Sequence, residues 1–311
     1  MLTTVTAGPY DGGVFDLPTG VVDAWINPNL GILSDDNDVS YLFPGLRARM
    51  ERGTSLEQLV DEMDETGVDK GVLCSGYSGD GDREWVLAAS DKYPERFGLS
   101  HVVDPREGMR AVRLVEELVQ FDGYRLIRML GLQTRLYYND PSYYPVYAKC
   151  VELGVPVGLN VGFPGPQVPS KYQDPMAVDD VAAFFPELTI VLQHGGEPWV
   201  DTCVKLMVKW PNVHYMTSAI APRHIPGAII DYANTRGADR VMFASDYPLL
   251  THERCMNEVR ALPFRDIERF TKFVAGNAQR VLFDRGGSAD ARNGGNSHTP
   301  SDNHGPASTP A

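Results

Sequence analysis

Eight short apolar segments, rich in β-branched residues, recur between residues 21 and 246, and longer amphipathic stretches separate them. Such segments are typical of buried strands, and their alternation with helical patterns indicates repeated βα units around a parallel sheet. Eight strands is the number that closes a (β/α)8 barrel, so the sequence predicts an α/β fold of the TIM-barrel type. The segments are VVDAW (21–25), GVLCS (71–75), FGLSHVV (97–103), YRLIRML (124–130), VPVGLNV (155–161), LTIVLQH (188–194), VHYMTSA (213–219) and RVMFASD (240–246).

The stretches between these segments set the predicted organisation of the chain. MRAVRLVEELVQF (109–121) and PVYAKCVELG (145–154) have helical patterns, and Gly154 is a predicted helix stop. Residues 28–54 are rich in Asn, Asp and Gly, which predicts a long loop over the mouth of the barrel. We expect an N-terminal extension at 1–19, one barrel domain at 20–285 and a disordered tail at 286–311, which has no aliphatic residue larger than Ala.

Composition limits the classes of partner and the compartment. The net charge of −13, with no cluster of Lys and Arg, argues against nucleic acid and anionic membrane as partners. The four cysteines form no CxxC pair, which is typical of reduced thiols in the cytoplasm. No apolar run approaches the length of about 18 residues that a membrane span needs. We therefore expect a soluble, cytoplasmic protein that acts on a small molecule, and homo-oligomerisation stays open.

Polar side chains stand at the ends of most of the predicted strands. In a (β/α)8 barrel the C-terminal strand ends form the active site, so these positions are the candidate functional residues. The clearest signals are VLQHGGEPW (191–199) and FASDYP (243–248), in which an apolar strand stops at one ionisable residue before Gly or Pro. The strand-end residues are Trp25, Asn27, Cys74, His101, Arg128, Asn160, His194, Ser218 and Asp246.

Asp246 and His194 are the predicted catalytic pair. A carboxylate at a barrel mouth can act as a general base toward water, and an imidazole that titrates near neutrality can donate or accept the matching proton. The alternative is a structural role, in which Asp246 caps a turn and His194 bonds to the backbone. Arg128 shares a strand face with Leu126, which directs its guanidinium into the barrel. There it would bind a substrate carboxylate or pair with an internal acid such as Asp246.

Other side chains near the mouth are candidates of a second rank. Tyr138 belongs to the aromatic cluster LYYNDPSYY (136–144), which would wall a ring-shaped ligand or form a subunit contact. His101 is either a substrate-binding residue or a hydrogen-bonded structural residue. Cys74 has no recognisable His partner in the sequence, so we interpret it as a small buried apolar residue.

Six motifs together resemble the amidohydrolase-related (amidohydrolase 2) proteins of the aminocarboxymuconate-semialdehyde decarboxylase type. The resemblance covers roughly residues 20–283 and implies a (β/α)8 barrel with hydrolase or decarboxylase activity. The motifs, in the order of the family, are VVDAWIN (21–27), VDPREG (103–108), GVPVGLNVG (154–162), VLQHGG (191–196), RVMFASDYP (240–248) and VAGNAQRVLF (274–283).

The resemblance also implies a metal site that this chain does not reproduce. Members of the family commonly bind zinc or manganese through an HxH pair on the first strand, a His on the fifth and an Asp on the eighth, and a sixth-strand His serves the chemistry. Carried over by position, the metal ligands become Trp25, Asn27, Asn160 and Asp246, and the sixth-strand histidine is His194. Trp has no ligating atom and neutral amides bind zinc poorly, so we expect no metal cofactor. Trp25, Asn27 and Asn160 then become candidate substrate-binding residues, unless His101 serves as a replacement ligand.

Three functions follow from these residues. The first is a metal-independent hydrolase of a small carboxylated ester or lactone, in which Asp246 directs water, His194 polarises the carbonyl and Arg128 anchors a carboxylate. The second is a carbon–carbon lyase of the decarboxylase type, in which His194 or Asp246 protonates the carbon that loses carbon dioxide. The third is an inactive barrel that binds a ligand or partner, and the polar mouth argues against it.

Overall fold

Eight parallel strands form one sheet in the part of the chain that the computed structural model describes, residues 13–27, 39–77, 80–163 and 165–284. Each strand pairs with the next along the chain. The sheet closes where β8 meets β1, because Ala24 N donates to Phe243 O at 3.3 Å and Ile26 bridges to Tyr247. The predicted (β/α)8 barrel is therefore confirmed. The strands are β1 (Val22–Ile26), β2 (Lys70–Ser75), β3 (Phe97–Val102), β4 (Tyr124–Met129), β5 (Val157–Asn160), β6 (Ile190–Gln193), β7 (Val213–Met216) and β8 (Val241–Met242).

Helices connect the strands and cover the outside of the barrel. Among the helices of the described residues, none has both the length and the apolar character that a membrane crossing needs. The chain ends its described part in two π-helical turns, Lys272–Gly276 and Gln279–Phe283. The α-helices are α1 (Leu46–Arg52), α2 (Leu56–Thr66), α3 (Asp80–Lys92), α4 (Met109–Gln120), α5 (Gly131–Thr134), α6 (Tyr144–Leu153), α7 (Ala177–Phe184), α8 (Val200–Lys209), α9 (Gly227–Ala233), α10 (His252–Val259) and α11 (Ile267–Thr271).

Local sequence signals explain where several helices begin and end. At the start of α2, Ser55 Oγ accepts from Gln58 N at 3.1 Å and Gln58 Oε1 accepts from Ser55 N at 3.0 Å, which is a capping box. The predicted stop of α6 is confirmed, because Gly154 follows the helix with a φ of 63°. Both predicted helical stretches, 109–121 and 145–154, are helices with nearly the expected bounds.

The predicted loop over residues 28–54 is wrong in its last part, where α1 forms between Gly45 and Gly53. The sequence of α1, LRARMER, consists of good helix formers, and the Asn-rich and Asp-rich residues before it obscured that signal. Residues 28–38, the Asn-rich and Asp-rich first part of the predicted loop, lie outside the described residues, as do residues 1–12 and the predicted tail at 286–311. The structure describes residues 13–19 of the predicted N-terminal extension, and Phe15 in this part stacks on Phe270 with ring centroids 4.9 Å apart.

A change of register at the end of β1 positions the first candidate residues. Pairing with β2 shifts between Asp23 and Ile26, so that Trp25 joins Ala24 in the apolar cluster inside the barrel. Ile26 packs instead in the layer between strands and helices. An irregularity of this kind re-aims side chains at the rim of a barrel. As a result, the indole of Trp25 lies inside the barrel, and the carboxylate of Asp23 contacts α10 on the outside.

Candidate active site

The structure brings the principal predicted residues together at the C-terminal ends of the strands. His194 Nδ1 lies 3.8 Å from Asp246 Oδ2. The indole of Trp25 lies 4.4 Å from the His194 ring, centroid to centroid, and the guanidinium of Arg128 lies over the same indole. Asn27 Nδ2 donates a hydrogen bond to Asp246 Oδ1. Side chains from β1, β4 and the segments after β6 and β8 therefore share one site.

The backbone at both catalytic candidates is unusual. His194 and Asp246 have φ values of 65° and 62°, in the left-handed region that non-glycine residues rarely occupy. The backbone N–H of Asp246 donates to Trp25 O at 3.0 Å, and that of His194 donates to Ser218 Oγ at 3.2 Å. Unfavourable backbone conformations that are held by such contacts concentrate at functional sites. Both residues are therefore held in strained backbone conformations at neighbouring ends of the barrel strands.

Burial raises the pKa of the Asp246 carboxyl into the range in which a general base works at neutral pH. The side chain lies in a low-dielectric setting that disfavours the carboxylate, and this burial raises its pKa from 3.8 to about 7. The positive charge of Arg128 and the hydrogen bond from Asn27 act in the opposite direction, and the negative charge of Asp23 adds to the rise. At neutral pH Asp246 is therefore divided between its acid and base forms, which suits proton transfer.

His194 does not titrate near neutrality, and that part of the prediction is wrong. Burial, assisted by the charge of Arg128, lowers the pKa of the imidazole to about 3, so the ring is neutral at physiological pH. Ser218 Oγ accepts from the backbone N–H of His194, and its own proton can then be donated to His194 Nδ1, 3.0 Å away. That arrangement leaves the ring proton on Nε2. In this tautomer the neutral His194 ring donates from Nε2.

Arg128 is fully buried and carries unused hydrogen-bonding capacity. One amino group donates to the hydroxyl of Tyr77, and no described residue accepts a hydrogen bond from Nε or Nη1. The charge of Arg128 affects the pKa of Asp246, yet its hydrogen bond goes to Tyr77 and not to that acid. Nη1 of this buried cation can therefore donate to an anion such as a carboxylate without displacing Tyr77.

Asn27 and Asn160, at the positions where the family carries metal ligands, also have buried atoms that form no hydrogen bond with the described residues. Because Asn27 Nδ2 donates to Asp246, its Oδ1 faces away, and no described residue donates to it. Asn160 Oδ1 is likewise buried without a partner among the described residues. Buried polar atoms are normally paired, so unpaired ones at a barrel mouth indicate contacts that a ligand or water supplies.

Tyr138 and His101 lie in supporting positions. The hydroxyl of Tyr138 donates to Asn160 O at 2.5 Å and accepts from Gly131 N at 3.1 Å, and the side chain is fully buried. It thus holds the end of β5 in place and does not line the mouth. His101 Nδ1 lies 2.8 Å from Ser75 Oγ, which links the ends of β3 and β2. Burial raises the pKa of the Cys74 thiol, as expected for a buried apolar residue.

The residues of this site do not fit a divalent metal. Trp25 offers no lone pair, and Arg128 places a positive charge beside the carboxyl of Asp246. Within the described part of the chain, no three His, Cys, Asp or Glu side chains converge closely enough to hold a metal ion. His101, the predicted replacement ligand, has its Nδ1 engaged by Ser75. The donor set required for zinc or manganese is therefore incomplete.

Two features of the site were not predicted from the sequence. Tyr77, two residues beyond the end of β2, contacts Arg128, although it is not one of the predicted strand-end residues. Behind the site, Asp23 pairs with His252 across 229 positions of the chain, and no local pattern reveals such a separation. The only signal for Asp23 was a charged residue inside an apolar strand.

Solved structures of other proteins share the fold of this chain. An uncharacterized TIM-barrel protein of Bordetella bronchiseptica is 25% identical over 84% of this chain and 97% of its own, with a TM-score of 0.69. 5-Carboxyvanillate decarboxylase LigW of Sphingomonas paucimobilis is 18% identical over 85% and 99%, with a TM-score of 0.65. A probable 2-pyrone-4,6-dicarboxylic acid hydrolase of Acinetobacter baumannii, with citric acid bound, is 16% identical over 85% and 99%, with a TM-score of 0.58.

No curated protein sequence matches the chain significantly. The model of one family, Amidohydro_2, described as amidohydrolase, matches residues 22–283. That range runs from β1 to the end of the second π-helical turn, so it contains every strand of the barrel and every residue of the candidate site. The protein is accordingly a member of the Amidohydro_2 family of amidohydrolases, and an enzyme of that type.

Proposed function

We propose that this protein is a metal-independent hydrolase of small carboxylated esters or lactones. The observation that carries the proposal is the juxtaposition at the mouth: a carboxyl with a pKa of about 7, a neutral imidazole 3.8 Å away, and a buried guanidinium whose Nε and Nη1 have no partner among the described residues. These are a base, an electrophilic hydrogen-bond donor and an anion-binding group. They supply what the hydrolysis of an activated carbonyl needs.

Arg128 binds the substrate first in this mechanism. A carboxylate of the substrate accepts from Nη1, while Tyr77 keeps its hydrogen bond from Nη2. The indole of Trp25, against which the guanidinium lies, forms an apolar wall next to the bound carboxylate. Binding thus replaces an unpaired buried cation by an ion pair with hydrogen bonds, which favours carboxylated substrates over neutral analogues.

Asp246 and His194 then carry out the hydrolysis. The Asp246 carboxylate removes a proton from water as the water oxygen bonds to the carbonyl carbon, and His194 Nε2–H donates to the carbonyl oxygen as negative charge develops there. When the tetrahedral intermediate collapses, the bond from carbon to the leaving oxygen breaks. The protonated Asp246 returns its proton to that oxygen, so the enzyme regains its initial state. Asn27 holds Asp246 oriented throughout through its hydrogen bond.

Decarboxylation of a small carboxylic acid is the second candidate. Two points favour it: a decarboxylase, LigW, is among the proteins that share this fold, and Asp246, with a pKa of about 7, is partly protonated at neutral pH and can then protonate carbon. The two reactions differ in how the rate depends on pH. Hydrolysis needs the carboxylate and speeds up as pH rises through about 7, whereas protonation of carbon needs the acid and slows down over the same range.

A substrate panel on chelator-treated protein tests the proposal. Each lactone or ester is paired with an analogue that lacks only the carboxylate, and products are assigned as acid or carbon dioxide. We expect acid release and a preference of ~100-fold in kcat/KM for the carboxylated member, because a hydrogen bond to a charged group contributes ~1.5–3 kcal/mol. Release of carbon dioxide would select the second candidate. Binding of carboxylates without turnover of any member would select an inactive binding barrel.

A further inference from the structure

A buried carboxylate and imidazole lie directly behind the candidate active site. The side chains of Asp23 on β1 and His252 at the start of α10 are both fully excluded from solvent, and His252 Nε2 lies 3.0 Å from Asp23 Oδ2. Neither side chain takes part in the proposed hydrolysis. A carboxylate buried this deeply is costly unless it is fully hydrogen-bonded, so its presence calls for a function.

The hydrogen bonds of Asp23 tie together the ends of the two strands that close the barrel. Asp23 Oδ1 accepts from Trp25 N at 3.1 Å and from Ser245 N at 2.9 Å. Asp23 Oδ2 accepts from the hydroxyl of Ser245 and from His252. One carboxylate therefore fixes the backbone beside Trp25 and the residue immediately before Asp246.

Further hydrogen bonds connect Ser245 to Tyr247, on the other side of Asp246, and Tyr247 to Asn27. Ser245 Oγ accepts from Tyr247 N at 2.9 Å, and Tyr247 O accepts from Asn27 N at 2.7 Å. Asp246 N donates to Trp25 O at 3.0 Å. Asp246 is thus bracketed on both sides by contacts that depend on Asp23, and its left-handed φ of 62° needs such support.

His252 completes the arrangement from the helix side. Its ring stacks on that of Tyr247 with centroids 4.8 Å apart and planes 7° apart. Its backbone N–H donates to Glu62 Oε1 at 3.1 Å, and Glu62 Oε2 accepts from the Tyr247 hydroxyl at 3.1 Å. His252 is therefore fixed in place from three sides, and it presents Nε2 to Asp23.

We propose that Asp23 and His252 form the positioning pair for Asp246: His252 orients the Asp23 carboxylate, and that carboxylate sets the backbone from which Asp246 reaches the substrate. The inference rests on the proposed role of Asp246 as the catalytic base. Substrate affinity depends on Arg128 from β4, which the pair does not touch, and the pair reaches the apolar wall of Trp25 only through its backbone N–H. Damage to the pair should therefore lower kcat and leave KM nearly unchanged.

Three variants of His252 and Asp23 test the pair. His252→Leu removes the donor, His252→Gln retains an N–H near the position of Nε2, and Asp23→Asn replaces the carboxylate with a neutral isostere. The control is His214→Leu, which alters another buried histidine, one on β7 that pairs with Val191 in the sheet. Backbone hydrogen–deuterium exchange of peptides covering 24–27 and 243–248 is measured beside kcat and KM, with residues 124–129 as the internal reference.

We expect His252→Leu and Asp23→Asn to lower kcat by ~10- to 100-fold, the range typical of residues that orient a catalytic group, with KM within about twofold. His252→Gln should recover most of this loss, and exchange should accelerate in 24–27 and 243–248 but not in 124–129. Faster local exchange in a protein that turns over no substrate would uphold the positioning pair and overturn only the proposed function. Unchanged exchange in these two peptides, or a loss of kcat equal to that of His214→Leu, would overturn the inference.

Discussion

Stability and activity are expected to oppose each other at Asp246. Its folded-state pKa of about 7 lies above the unfolded value of 3.8, so its favourable contribution is complete below pH 3.8 and is lost as pH rises through about 7. The difference between the two pKa values corresponds to ~4 kcal/mol of unfolding free energy above neutrality. The folded protein carries that cost whenever Asp246 is ionised. A neutral isostere at this position should remove the cost together with the base.

Asp246→Asn is such an isostere, and Asn tolerates the left-handed backbone at this position. We expect the variant to exceed the wild type in stability by up to ~4 kcal/mol at about pH 8 and to be nearly equal at about pH 4. Turnover should fall by roughly two to four orders of magnitude. Urea unfolding at both pH values measures the first effect, with exposed Asp231→Asn as the control. A variant no more stable than the wild type at about pH 8 would refute the reasoning.

Three further predictions concern the anion site, the metal and the tail. Arg128→Leu should weaken substrate affinity by ~100-fold with a smaller effect on kcat. It should also raise the pKa of Asp246, because the charge of Arg128 lowers that pKa. Steady-state kinetics over a pH range measure both effects. Elemental analysis of the purified protein should find no stoichiometric zinc or manganese, and one tightly bound ion lost together with activity would contradict this. Deletion of residues 286–311 should leave Tm unchanged in a thermal scan, since that sequence has no large apolar side chain; a drop of several degrees would show that it packs on the barrel.

The barrel was predictable because each strand is a local apolar run, and no strand depends on a distant residue to be recognised. The same principle predicted the strand-end residues His194, Arg128 and Asp246 as one group, since parallel strands place their C-terminal ends at one face. Helix α1 was missed because its helix-forming residues follow a polar stretch that resembles a loop. These successes and this error all follow from short-range sequence patterns.

The electrostatics of the site could not be predicted from the sequence. The neutral state of His194 results from burial and from Arg128, which stands 66 positions earlier in the chain. The pKa of Asp246 depends on Asp23 and Arg128 from two other strands. The partnership of Asp23 and His252 joins residues 229 positions apart. Each effect arises from three-dimensional packing between distant segments.

The pH dependence of kcat/KM in chelator-treated protein tests the central claim most directly, because it reports the ionisation of the free enzyme. If Asp246 is the base and no metal takes part, activity should rise with pH through a single ionisation near 7, and His194, with a pKa of about 3, should add no second step above about pH 5. A profile that is flat from about pH 5 to pH 9, or activity that disappears on chelation and returns with zinc or manganese, would contradict the account.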